Sequence, residues 1–106
     1  MRYGFISRRS EETKVKHIEA LKPYDLMEII VDDFENDIDT LFRKLETGDS
    51  LYMEEPPRDI TKYVAIRSYA RKHGIELYIR GELIGETPVI KMLDECVKAE
   101  KAQRRV

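Results

Sequence analysis

The chain is poor in residues that staple, ligate or anchor. It has a single cysteine, Cys96, which excludes an internal disulfide and fits a reducing, cytoplasmic setting. Two histidines, His17 and His73, make no zinc cluster with that one cysteine, and no metal or other cofactor is expected. No apolar run approaches the roughly 18 residues of a membrane span, and no signal peptide precedes the first apolar stretch, so no membrane contact is expected. Glycine is scarce and scattered: Gly4 stands alone inside an apolar run, and neither a Gly-rich phosphate loop nor a dinucleotide fingerprint is present. There is no internal repeat, linker or low-complexity segment. With 106 residues, the expectation is one domain, 1–106, with a single core.

What the chain has in quantity is charge. Charged residues make up 38% of it, and the net charge of −2 hides an asymmetry. Arg2, Arg8, Arg9, Lys14 and Lys16 make the start basic, and Lys98, Lys101, Arg104 and Arg105 the end. Between them lie Glu28, Asp32, Asp33, Glu35, Asp37, Asp39, Glu54 and Glu55. That pattern permits an anionic partner at the termini without demanding one.

Apolar periodicity sorts the chain into alternating strands and helices. Residues 3–6 read as a strand that opens onto Ser7, the place where open α/β folds put ligands and chemistry. Ser10 caps a helix with Glu11 and Glu12 in its first turn, Val15, Ile18 and Leu21 on its apolar stripe, and Pro23 at its end. Residues 27–31 form a second strand. Ile38, Leu41, Phe42 and Leu45 follow at the spacing of a core-facing helix, with Gly48 as its left-handed cap. Residues 50–53 are a third strand, stopped by Pro56 and Pro57. Ile60, Tyr63, Val64, Arg67 and Ala70 mark a third helix over about 58–72, and 75–79 a fourth strand. Residues 80–86 read as a loop or small hairpin. Pro88 opens a last helix, about 88–105, on Val89, Leu93, Cys96 and Val97. The fold class is α/β: a three-layer αβα arrangement around a mostly parallel, roughly four-stranded sheet, with an extended C-terminal helix.

This order resembles the catalytic domain of the serine recombinases, the resolvase and invertase family. Arg2-Tyr3-Gly4-Phe5-Ile6-Ser7 looks like the strand that delivers that family's nucleophile, and Ala20-Leu21-Lys22 is similar to the end of its first helix. Residues 38–51, through Gly48-Asp49, resemble its second helix and following strand. Residues 92–105, with Ala99-Glu100-Lys101, resemble the start of its long dimerisation helix. The resemblance implies that Ser7 would attack a DNA phosphodiester, that Arg58 would bind the phosphate, and that Tyr3 keeps the family's aromatic. Candidate DNA contacts are Arg8, Arg9, Lys98, Lys101, Arg104 and Arg105, and the last helix would pair with a second copy or a partner recombinase.

The departures are specific. Phe5 stands where the family has its first catalytic arginine, and Pro57 replaces the aspartate before Arg58. The following loop is about three residues short, which removes a second arginine. Glu35 lies near another arginine's place, Glu11 and Lys16 or His17 near glutamines, and Lys101 replaces an arginine. Phosphoryl transfer needs cations around the non-bridging oxygens, so a site stripped of arginines points to a degenerate recombinase. The alternative is a non-catalytic dimerisation or regulatory module acting through protein contacts, with no separate DNA-binding domain. In that reading Ser7 is a turn hydroxyl and Arg58 an ordinary first-turn arginine. His17 and His73 read as surface residues. A response-regulator-like domain is disfavoured, because no aspartate ends a central strand with a following lysine.

Overall fold

The computed structural model describes residues 1–7, 10–32 and 38–85. Strand β1, Arg2–Ile6, opens the fold. Helix α1, Glu11–Leu21, and a 3₁₀ turn at Lys22–Tyr24 lead to β2, Glu28–Val31. Helix α2, Ile38–Lys44, leads to β3, Ser50–Met53, and helix α3, Ile60–His73, to β4, Glu76–Ile79. A two-residue strand, β5, Glu82–Leu83, folds back on β4. Among the described residues the sheet therefore has five strands rather than four, in the order β2-β1-β3-β4-β5, with only β5 antiparallel.

The extra strand depends on a turn that composition alone left open. Ile79 pairs with Glu82, so Arg80 and Gly81 form a two-residue hairpin loop, and both have positive φ, 52° and 80°. Two such residues match the right-handed twist of the flanking strands, and glycine meets the second requirement without steric cost.

Strand alternation assigns the two faces. Tyr3 and Phe5 face α2 and α3, where they join Ile30, Leu51, Met53 and Leu77 with Leu41, Leu45, Tyr63, Ile66 and Ala70 in one buried cluster. Gly4 and Ile6 face α1. A methyl group on Gly4 would approach Leu26 Cδ1 to 2.7 Å and Ile29 Cγ1 to 3.1 Å, so the missing side chain lets that layer lie close to β1. Helices thus flank the sheet on both sides.

On the α1 face of β3 and β4 lies a row of three tyrosines. Tyr24, Tyr52 and Tyr78 stack with ring centroids 4.8 and 4.6 Å apart. On the other face, Phe42 and Tyr69 stack at 4.1 Å, and the Tyr69 hydroxyl donates to the Phe42 carbonyl at 2.9 Å, tying α3 to α2.

Three local expectations change. Helix α1 turns His17 and Leu21 inwards, while Val15 is exposed. Two residues along a helix is about 200°, so a buried His17 places Val15 on the solvent side. His17 is buried rather than on the surface. Helix α2 ends at Lys44, so Gly48, at φ 93°, serves the turn closed by Asp49 N–H to Glu46 carbonyl rather than capping the helix. The expected last helix lies outside the described residues. Among the described residues, no helix is long and apolar enough to cross a membrane.

Candidate functional site

The switch point of this strand order lies where β1 and β3 end, because the chain leaves β1 in one direction for β2 and returns past it to β3. Backbone pairing follows the same geometry. β1 stays paired with β2 through Ile6 and Val31, whereas its recorded pairing with β3 runs only from Arg2 to Gly4. Past Gly4 the two central strands part, and Ser7 comes just after β1 on that edge.

Ser7 is 8% exposed, and its buried Oγ has no hydrogen-bond partner among the described residues. A buried hydroxyl left unpaired costs roughly 1–3 kcal/mol, so this atom is an expensive feature of the fold. Its neighbour across β2 is Asp32, whose amide donates to the Ile6 carbonyl at 2.8 Å and which is only 4% exposed. By alternation both side chains sit on the α2/α3 face. Lys62, in the first turns of α3, places its Nζ 2.5 Å from Asp32 Oδ2.

On the other side of the switch point, β3 runs out into Glu54 and Glu55 before the buried Pro56 and Pro57. Arg80 Nη2 lies 3.6 Å from Glu55 Oε1, and Arg80 Nε donates to the Glu54 carbonyl at 3.1 Å. Burial raises the pKa of Glu54 above its ordinary value, with Arg80 opposing and Glu55 adding to the shift. Helix α3 begins beyond this loop, and Asp59 caps it by accepting from the Thr61 amide at 2.9 Å. That carboxylate already occupies the end of α3 where the helix dipole would favour an incoming anion.

The candidate residues fall into three groups. Ser7 is at the carboxyl edge. Among the described residues, Arg58 is exposed and makes no hydrogen bond or ion pair, and no guanidinium bonds the Ser7 hydroxyl. Tyr3 is not at this edge: its ring lies in the core, its hydroxyl approaches Met1 Sδ at 3.9 Å, and four residues of strand, about 13 Å, separate it from Ser7. Arg8, Arg9, Lys98, Lys101, Arg104 and Arg105 lie outside the described residues, as do Glu35 and Cys96.

The residues that sequence reading passed over are Lys62 and the particular role of Asp32. Asp32 carried a signal, as a carboxylate straight after an apolar strand. Lys62 carried none, since its partner is 30 positions away. Among the described residues, no group of three or more His, Cys, Asp or Glu side chains could hold a metal ion. Among the described residues, the edge around Ser7 carries Asp32, Glu54, Glu55 and Asp59 against Arg58, Lys62 and Arg80, where a phosphodiester would need cations. No protein-family model matches the chain, and no curated protein matches it.

Proposed function

We propose that this chain is a resolvase-like domain associated with DNA recombination whose serine centre no longer carries out strand exchange. It would act as a non-catalytic dimerisation or regulatory module, pairing with a second copy or with an active recombinase. The observation that carries this reading is Ser7 itself. It stands just past an interior strand of a doubly wound sheet, at the carboxyl edge where such folds place their chemistry, yet its hydroxyl is buried and, among the described residues, has no hydrogen-bond partner. A serine hydroxyl is a weak nucleophile unless a base or cation activates it. Among the described residues, Lys62 is held by Asp32, and Arg58 is exposed to solvent.

The test is a covalent trap. Supercoiled plasmid incubated with the protein and run on a denaturing gel should show no protein–DNA adduct, and Ser7→Ala should behave as the unchanged protein does. An adduct lost in Ser7→Ala would overturn the catalytic half of the proposal. Fluorescence anisotropy with labelled duplex across a salt series tests the DNA half: affinity should fall steeply with salt. A chain that binds no duplex at low salt would act through protein contacts alone.

A further inference from the structure

We infer that the Lys62–Asp32 ion pair is a latch over Ser7, so that access to the hydroxyl is governed by one ionic contact rather than by the packed core. Strand order carries the inference. Helix α3 follows β3, while Asp32 belongs to the end of β2, and β1 lies between those strands. A Lys62 side chain that meets Asp32 therefore passes the end of β1, where Ser7 sits. Adjacent strands are about 4.8 Å apart, so the Asp32 backbone lies about one strand spacing from Ser7, and the ammonium sits on its carboxylate, 2.5 Å from Oδ2, at the same sheet edge.

Burial agrees with this placement. Ser7 and Asp32 are both more than nine-tenths covered, although they lie past the last paired residues of their strands, where side chains usually meet water. Lys62 keeps a side-chain exposure of 36%. Its ammonium can swing into solvent without disturbing Tyr63, the next residue, which is fully buried in the core. One partner is fixed and the other can leave, which is what a latch requires. The inference rests on geometry within the chain and holds whether or not the protein meets DNA.

Thiol labelling tests it. In a Cys96→Ser background, Ser7→Cys places one thiol at the site, and its rate of reaction with a small maleimide reports access. With the latch intact, the rate should be at least about 100-fold below that of a free cysteine. Lys62→Met should raise it about 10-fold or more, Asp32→Asn should act in the same direction, and Lys62→Arg should keep it slow. Because any destabilised fold opens more often, Leu45→Ala, a core cavity substitution away from this edge, serves as the control for general loosening. The latch is refuted if Lys62→Met labels no faster than Leu45→Ala does. It is equally refuted if Ser7→Cys reacts like a free cysteine while Lys62 is present.

Discussion

The energetic worth of the Lys62–Asp32 pair can be bounded from its geometry. At 2.5 Å, Coulomb's law gives about 7 kcal/mol for an effective dielectric of 20 and about 1.7 kcal/mol for bulk water. Neither is the net value, since the desolvation of Asp32 offsets much of the attraction. Fully exposed pairs contribute about 0–1 kcal/mol, and breaking fully buried ones costs about 3–5 kcal/mol. Here the carboxylate is buried and the ammonium is not, so Lys62→Met should cost about 2 kcal/mol. In a domain of this size that lowers Tm by about 10 °C. Asp32→Asn should cost less, about 1 kcal/mol, because the lysine it leaves behind can turn to water. The double substitution should cost no more than Lys62→Met alone, giving a coupling energy of about 1 kcal/mol. Urea unfolding at neutral pH and low salt, followed by circular dichroism, measures all four corners of the cycle. If the two single effects add within about 0.3 kcal/mol, the pair is a surface contact and the reasoning about this edge fails.

Other groups give separate tests. Asp49 accepts from the Met1 amino group and the Glu46 amide, both at 2.8 Å, and its pKa is lowered chiefly by the first of these bonds. A lowered carboxylate pKa gives stability that is present above the unfolded value, about 3.9, and lost as pH falls through the folded one. Asp49→Asn should therefore flatten the acid limb of a Tm-versus-pH curve. Glu54 has the opposite sign: its raised pKa makes ionisation cost stability, so Glu54→Gln should raise Tm at neutral pH and lose that gain below about pH 4. Gly81→Ala meets both a positive φ and the Tyr24 hydroxyl 2.9 Å from the added methyl, and calorimetry should show a loss of about 1–2 kcal/mol. The Tyr78 pKa is raised, first by its hydrogen bond to Glu76; in an ultraviolet titration, Glu76→Gln should bring its ionisation back toward the ordinary tyrosine value.

Much of the fold was legible because local chemistry decided it. Ser10 accepts from the Thr13 amide as an N-cap should, Gly74 ends α3, and the strand after Asp49 falls on residues 50–53. The inward arc of α1 was misread because Val15 is more apolar than His17, and hydropathy ranks the residues without fixing which arc meets the sheet. The fifth strand was hidden by its length: two residues carry no periodicity, and only the backbone of Arg80 and Gly81 reveals it. At the site, Ser7 was found from the strand-to-helix switch, a local signal. The Lys62–Asp32 contact was not, because it depends on how α3 lies across the sheet, and neither residue announces the other. Tyr3 was named by likeness to a motif; alternation alone would have sent its ring into the core, where it lies.

The tyrosine row also determines how this protein can be watched. The chain has six tyrosines and no tryptophan, so its near-ultraviolet signal comes almost wholly from phenol rings. Three of those rings stand in one stacked series drawn from the 3₁₀ turn, β3 and β4. Rings held face to face at such spacing couple their transitions, and departure of the 3₁₀ turn removes the Tyr24–Tyr52 coupling while the Tyr52–Tyr78 coupling stays. The carboxylate on the Tyr78 hydroxyl adds a quencher at one end of the series. Near-ultraviolet dichroism and phenol emission should therefore follow the docking of the 3₁₀ turn onto the sheet without any introduced label.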